Sequence, residues 1–156
     1  RRYLALVAGV LEADTGRIEG PIRRDPSDPM KRAVVLGGKP AATNYTRLAY
    51  WDFCSFTEVG LETGRTHQIR VHMEAIGHPI CGDPIYGCRF RIPKGRCVPE
   101  KLRGLERPFL HAFHLEFEHP SSAHRLRFES PLPSELRDVL ESLGAPVFGS
   151  AQAVLG

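Results

Sequence analysis

The sequence lacks the features that place a protein in a membrane or in a disulfide-rich class. No apolar run in its 156 residues reaches the roughly 18 residues that a membrane span requires. Its four cysteines lack the C-x-x-C spacing of zinc and redox motifs, and no paired histidines stand at zinc-ligand intervals. Repeats and low-complexity tracts are absent as well. The composition is that of a soluble globular domain, or of a large piece of a bigger one.

The cysteines favour a reduced, intracellular protein, because a chain of this length can bury a core without disulfides. A metal cluster of Cys81, Cys88 and Cys97 is the weaker alternative on this spacing. The basic and then apolar start of the chain resembles a signal peptide. Its alternation and the absence of a small-residue cleavage site predict a strand instead.

The chain also has little net charge, which is +3 at pH 7 with a pI of about 8.8. Taken alone, that charge is weak evidence for a nucleic-acid partner. Its distribution is more informative, because residues 89–107 carry seven basic and two acidic side chains. The basic residues are Arg89, Arg91, Lys94, Arg96, Lys101, Arg103 and Arg107. This basic loop predicts a phosphate-facing surface, and a solvated loop without a partner is the alternative.

Residues 61–87, LETGRTHQIRVHMEAIGHPICGDPIYG, are the stretch around which the chain is organised. Their first half predicts a strand end, a tight turn and a short helix. Thr63 or Thr66 is the predicted N-cap, and Gly77 stands where a helix ends in a left-handed residue. The spacing of the apolar residues predicts one buried helix face, formed by Ile69, Met73 and Ile76.

The polar residues of this helix predict an anion site. His67, Arg70 and Glu74 share a second face, and Arg65 stands in the preceding turn. A guanidinium one turn into a helix, near the free N–H groups of the first turn, is well placed to hold an anion. The anion is either an RNA phosphate or the carboxylate of a partner.

The remaining pattern is rich in strands and poor in helices, which predicts an α+β fold with a mixed, largely antiparallel sheet flanked by helices on one side. We expect a domain over residues 1–145 and a frayed tail over residues 146–156. Strands are predicted over residues 1–11, 17–22, 53–62, 108–120 and 124–133 and from Thr43 onward, with a helix over 134–143.

Several motifs resemble those of the RluA-type pseudouridine synthases. The stretch 61–87 is similar to the family's third signature motif. The second motif, K-x-Y-x-A-x-V-x-G, has its counterpart in Arg2, Tyr3, Ala5, Val7 and Gly9. GRIEGPIRRDP, GKPAAT and LHAFHLEFEHP are similar to further family elements, so the resemblance covers nearly the whole chain.

The resemblance implies isomerisation of uridine to pseudouridine in structured RNA (rRNA or tRNA), without a metal or an organic cofactor. It implies that Tyr3 lies against the target base, which must leave the RNA stack, and that Arg70 pairs with the catalytic aspartate. Arg70 and Tyr3 are therefore the predicted catalytic residues. The predicted RNA-binding residues are Arg65, Thr66, His67, Gln68, Arg89, Arg91 and Arg96. For the motif positions Arg65, Thr66, His67, Gln68 and Asp83, a structural role is the alternative.

The family's H-R-L-D-x-x-T-S-G motif, which carries that aspartate, is absent from this chain. We therefore expect the C-terminal portion of a synthase, which is inactive alone and needs its missing N-terminal half or a partner chain. The alternatives are a catalytically inactive, RNA-binding or ribosome-associated relative and a generic interaction domain. We expect RNA and no membrane as partner, an intracellular location (cytoplasmic or organellar), and loss of activity with less effect on folding in Arg70→Ala.

Overall fold

A computed structural model describes residues 1–87 and 94–152. Within these residues the chain forms nine strands and three helices. The strands are β1 (Arg2–Ala8), β2 (Thr15–Glu19), β3 (Ile22–Arg24), β4 (Arg32–Val34), β5 (Ala42–Trp51), β6 (Cys54–Leu61), β7 (Leu110–Glu118), β8 (Arg125–Glu129) and β9 (Phe148–Gly149). The helices are α1 (Gln68–Ala75), α2 (Glu100–Arg103) and α3 (Ser134–Ser142). No helix in these two described ranges is long and apolar enough to cross a bilayer.

The main sheet has the strand order β2-β5-β6-β1-β7-β8, and every neighbouring pair in it is antiparallel. β9 pairs with β5, and β3 and β4 form a separate hairpin. The predicted α+β class with a largely antiparallel sheet is confirmed. The strands predicted from alternating patterns are all present, because alternation matches the period-2 arrangement of side chains along a pleated strand.

β1 lies in the middle of the sheet, and its alternate residues enter two different cores. Tyr3, Ala5 and Val7 pack on the side of α1, together with Ile69 and Met73. Leu4 and Leu6 pack on the opposite side, against α2 and α3. The prediction that the helices lie on one side is therefore wrong. An apolar run buried on both faces needs cover on both, and α1 supplies one cover while α2 and α3 supply the other.

α1 begins differently from the prediction. Neither Thr63 nor Thr66 is its N-cap; that position is taken by His67, in a left-handed conformation with φ 57°. The Thr63 hydroxyl instead accepts from the N–H of Ala42 and donates to Gln68 Oε1. Gly77 ends the helix region at φ +82°, as predicted. Ile76 is 38% exposed, so the predicted buried face stops at Met73.

The segment from residue 146 to residue 151 is packed against the domain and is not frayed. Phe148 of β9 pairs with Tyr50 of β5, and the two rings stack with centroids 5.9 Å apart. Trp51 donates from Nε1 to the carbonyl of Gly144, and Ala151 is buried. These contacts correct the predicted fraying, because an edge of β5 is available to hold the segment. The domain boundary at residue 145 stays a prediction.

Candidate active site

Arg70 forms a two-bonded ion pair with Asp83 in the loop that follows α1. Its Nε lies 2.6 Å from Oδ2 of Asp83, and its Nη2 lies 2.8 Å from Oδ1. The Asp83 side chain is fully buried and the Arg70 side chain is 15% exposed. Oδ1 of Asp83 also accepts the backbone N–H groups of Ile85 and Tyr86. The guanidinium is therefore held in one orientation, as bidentate pairing requires.

The environment keeps this pair ionised. Burial acts to raise the pKa of Asp83, but the hydrogen bonds from Arg70 and from the backbone of Tyr86 and Ile85 outweigh it, so the pKa lies below its ordinary value. The hydrogen bond to Asp83 raises the pKa of Arg70 against the opposing effect of burial. Both groups therefore stay charged near neutral pH.

Tyr86 supports the guanidinium and links it to the β3–β4 hairpin. The guanidinium carbon of Arg70 lies 4.9 Å from the centre of the Tyr86 ring. The Tyr86 hydroxyl accepts from the backbone N–H of Arg32 at 2.9 Å. The same hydroxyl lies 3.0 Å from Nδ1 of His67, to which it can donate when the imidazole is neutral. One tyrosine thus joins β4, the start of α1 and the Arg70–Asp83 pair.

Within the described residues, the anion that Arg70 holds is the carboxylate of Asp83. A further pairing of Arg70 with an RNA phosphate or a partner carboxylate stays a prediction. Because the buried Asp83 would lose its cation in Arg70→Ala, we expect that substitution to affect folding more than the sequence alone indicated. Nη1 of Arg70 has no hydrogen-bond partner within residues 1–87 and 94–152, so that atom is available to a second anion.

Tyr3 lies on the α1 side of the sheet, half-buried, between Val59 of β6 and Ala112 of β7. It packs against the same apolar cluster as Ile69, the residue before Arg70. Tyr3 also lines an open cavity of about 250 Å³ near the β7–β8 edge. Although both residues lie in the described part of the chain, no hydrogen bond or ring contact joins Tyr3 to Arg70. Both residues thus adjoin α1, Tyr3 through the apolar cluster and Arg70 as a residue of the helix.

The predicted RNA-binding residues of the motif divide into exposed and buried ones. Arg65 and Thr66 are exposed and line a cavity beside the β3–β4 hairpin. Gln68 is only 2% exposed, and its amide bonds to Thr43, Thr63 and the backbone of residues 42 and 65. Of the two predicted roles for Gln68, these contacts favour the structural one. Its side chain accepts the hydrogen bonds of Thr63 and of the Arg65 backbone in the turn before α1. The motif in the sequence does not reveal these contacts.

The basic loop is partly neutralised in its described portion. Arg96 lies 2.7 Å from Asp52, Lys101 lies 3.3 Å from Asp138, and Arg107 lies 3.8 Å from Glu135. These acids lie in the β5–β6 turn and in α3, both remote in sequence from the loop. The predicted roles of Arg89 and Arg91 lie outside the described residues. The phosphate-facing role of the whole loop stays a prediction.

Sequence reasoning missed three residues of this region. Asp83 and Tyr86 were recognised only as members of a loop motif, because their contacts with Arg70 and Arg32 depend on how the loop folds back. His114 is not among the predicted site residues, yet it is buried and lines the same cavity as Tyr3. Its Nδ1 has no hydrogen-bond partner. A histidine in a strand gives no sequence signal of that kind.

The stability of this region should depend on the protonation of His67. Burial, followed by the positive charges of Arg70 and Arg32, lowers the pKa of His67 below 6.5. The unfolded chain therefore takes up this proton at higher pH than the folded chain. We expect the free energy of unfolding to be lower at about pH 5.5 than at about pH 7.5. The loss develops as the pH falls through about 6.5, the pKa of histidine in the unfolded chain.

The matched variant is His67→Asn, because asparagine tolerates the left-handed conformation and does not titrate. Urea unfolding of both proteins at the two pH values measures the difference. The original protein should lose more stability on acidification than the variant does. Equal losses would remove His67 as the origin of the effect.

Comparison with known proteins finds similarity to pseudouridine synthases. A family model described as RNA pseudouridylate synthase matches residues 1–75. The chain is 45% identical over 143 residues to the ribosomal large subunit pseudouridine synthase D of Nitrosomonas europaea, covering 92% of this chain and 40% of that protein. It is 46% identical over 145 residues to the protein of the same name from Pseudomonas aeruginosa, covering 92% and 45%.

A solved structure, human RNA pseudouridylate synthase domain containing 1, is similar with a TM-score of 0.73 and 26% identity. The similarity covers 99% of this chain and 63% of the human one. The chain thus spans less than half the length of the two bacterial relatives. The region that contains Tyr3, Arg65 and Arg70 lies within the part that the family model matches.

Proposed function

The chain belongs to the RNA pseudouridylate synthase family, and from that premise we propose that its protein isomerises uridine to pseudouridine in ribosomal RNA. The observation that carries the proposal is the fixed guanidinium of Arg70, which uses Nε and Nη2 on Asp83 and leaves Nη1 for a second anion. The printed names of the bacterial relatives support the large ribosomal subunit as the source of the RNA. A ribosomal substrate also supports an intracellular location.

The reaction breaks the bond between N1 of uracil and C1′ of ribose, rotates the base, and forms a bond from C5 to C1′. The proton on C5 is lost and N1 gains one, so the product is an isomer of the substrate. We propose that Arg70 holds the catalytic carboxylate ionised and oriented through Nη1. That carboxylate comes from a segment outside this chain, because Asp83 is already buried against Nε and Nη2.

In this scheme Tyr3 supplies the surface against which the flipped base rests. Its position on the α1 side, half-buried and beside an open cavity, supports that role. Burial of the opposite face of β1 in the second core keeps the strand in place under the ring. The protein requires no metal for this chemistry. A catalytically inactive relative is the less favoured hypothesis, since the similar proteins are named as synthases.

The proposal is tested on the full protein with large-subunit ribosomal RNA from cells that lack its gene. Pseudouridines are mapped by carbodiimide labelling and reverse-transcription stops. We expect new stops at one or a few uridines in folded regions of the RNA. Retained RNA binding without any new pseudouridine would instead identify the protein as an inactive relative.

Replacing Tyr3 by leucine should slow product formation while leaving the fold intact. Stacking of a base on an aromatic ring contributes about 1–3 kcal/mol, which corresponds to a loss of roughly 5- to 150-fold. The matched control is Tyr45→Leu, because Tyr45 is a half-buried tyrosine packed on the same cluster. Single-turnover rates measure the effect, and thermal unfolding checks both folds. Equal rates in the two variants would remove Tyr3 from the base-binding surface.

A further inference from the structure

Five basic residues without a carboxylate partner line a single cavity. The cavity has a volume of about 480 Å³ and lies between the β3–β4 hairpin and the turn before α1. The lining cations are Arg23, Arg24, Arg32, Lys39 and Arg65. None of them takes part in an ion pair in the described part of the chain, and neither Asp nor Glu lines the cavity. We call this group the hairpin cluster.

The backbone of the hairpin cluster is fixed while its charged ends are left open. Lys39 exchanges two backbone hydrogen bonds with Ile22, both of 2.9 Å. Gly38 permits this approach, because a Cβ there would lie 2.8 Å from backbone atoms of Ile22. Nε of Arg65 donates to the carbonyl of Pro40, and the N–H of Arg32 donates to the hydroxyl of Tyr86. Nη1 of Arg32 also donates to the carbonyl of Lys31, at 3.5 Å. The guanidinium bonds of Arg65 and Arg32 therefore go to backbone carbonyls and not to carboxylates.

The arrangement is unfavourable without an anion. Arg24 and Arg32 are directly opposite each other in the hairpin, and like charges at such positions destabilise a strand pair. By contrast, Arg17 on the neighbouring strand β2 contacts two carboxylates, Glu19 and Glu62. The basic loop is also partly neutralised, at Arg96, Lys101 and Arg107. The hairpin cluster is therefore a concentration of positive charge without an ion pair in the described residues, although Arg32 also lines a neighbouring cavity with Asp25 and Glu74.

The charge of the cluster exceeds that of one phosphate, which carries at most about two negative charges near neutral pH. Several phosphates in a row match five cations better than a single ion does. The cavity also adjoins the candidate active site through Arg32. This residue lines the cavity, and its backbone N–H donates to the hydroxyl of Tyr86, the ring that contacts the Arg70 guanidinium. A polymer with repeated phosphates and its target uridine in the candidate active site would occupy both places.

We propose that the hairpin cluster binds two or more consecutive backbone phosphates of the RNA, close to the uridine that the candidate active site takes. The inference rests on the proposed function for its choice of polyanion. The contacts are with phosphate and carry no base information, so they hold the RNA in register whatever its sequence. Sequence or shape selection must then come from other contacts.

The test neutralises the cluster in the full protein with the triple variant Arg23→Gln, Arg24→Gln, Lys39→Gln. All three residues are exposed, so the fold is expected to persist. The matched control is Arg125→Gln, Arg127→Gln, because these exposed cations already face Glu116 and lie outside both the cavity and the basic loop. A second control, Arg23→Lys, Arg24→Lys, keeps the charge. The probe is a fluorescent single-stranded oligouridylate, titrated by anisotropy at roughly 50 to 200 mM salt.

The triple variant should bind the probe more weakly, and its plot of log affinity against log salt should be flatter by about 2, at roughly 0.7 per lost phosphate contact. Both controls should keep the slope of the original protein. An unchanged slope in the triple variant overturns the proposal. The proposal is also overturned if the triple variant keeps its affinity for RNA and loses affinity only for polyglutamate, because the cluster would then bind an acidic peptide and not RNA. Pseudouridine mapping is scored separately, so an inactive protein with the expected slopes would reject the proposed function and keep this site.

Discussion

Replacing Arg70 by leucine is expected to lower the free energy of unfolding by about 3–5 kcal/mol, the cost of leaving a buried charge without its partner. The reason is that Asp83 is fully buried and takes two hydrogen bonds from this guanidinium. The same substitution should abolish pseudouridine formation by the full protein. Urea unfolding and pseudouridine mapping measure the two effects independently.

A double variant separates these two consequences. Arg70→Leu with Asp83→Asn removes both charges, and the amide oxygen of asparagine can still accept from Ile85 and Tyr86. We expect it to recover most of the lost stability, since replacing a buried ion pair as a unit is often nearly neutral. Activity should stay absent, because no guanidinium remains to orient a carboxylate. Recovery of activity would exclude Arg70 from the chemistry.

Asp83→Asn alone provides the complementary control. It keeps the guanidinium and the loop hydrogen bonds but removes the negative charge that orients Arg70. Its activity should fall less than that of Arg70→Leu. An equal fall would mean that the ion pair, and not the free Nη1 of Arg70, is what the reaction needs.

Replacing His72 by leucine should produce the second large effect, on stability. His72 is completely buried; its Nε2 donates to the carbonyl of Gly20 at 2.9 Å, and its Nδ1 accepts from the hydroxyl of Thr43 at 2.8 Å. Leucine would leave both partners unsatisfied, at a cost of about 1–3 kcal/mol for each. Since Thr43 also accepts from Gln68, the start of α1 should loosen as well.

The matched control is His124→Leu, an exposed histidine in the β7–β8 turn. Its effect should stay within about 0.5 kcal/mol, as is usual for surface substitutions. Urea unfolding of the two variants provides the comparison. Similar losses in both would show that the buried hydrogen bonds of His72 do not stabilise the fold. Amide exchange in α1 should accelerate only in the His72 variant.

The regular elements could be predicted wherever local pattern determines burial. β1 was expected to be buried on both faces, and it is, because an uninterrupted apolar run can only be accommodated in the middle of a covered sheet. The end of α1 at Gly77 was predictable for a similar reason, since glycine tolerates a positive φ. β9 and α2 were not predicted. Both are short, and β9 is ordered by pairing with β5, which no local pattern encodes.

The candidate site was predictable only in part. The motifs indicated Arg70 and Tyr3, whose roles stay predictions, and the resemblance to the RNA pseudouridylate synthases is confirmed. The partner of Arg70 was not identified, because Asp83 lies 13 residues further along, beyond the helix and a turn. The same limit applies to the basic loop, whose described cations meet acids from distant elements. Net local charge overestimates a phosphate surface when the neutralising groups are remote in sequence.

By itself, the sequence determined the family, the α+β class, the strands with clear alternation and the position of one helical arginine. Only the tertiary structure decided which carboxylate that arginine holds, that Gln68 and His72 are buried supports, and which cations remain without acids. The physical reason is the separation along the chain over which each interaction acts. Propensity and periodicity act between neighbours in the chain, whereas ion pairs and buried hydrogen bonds depend on groups that only folding brings together.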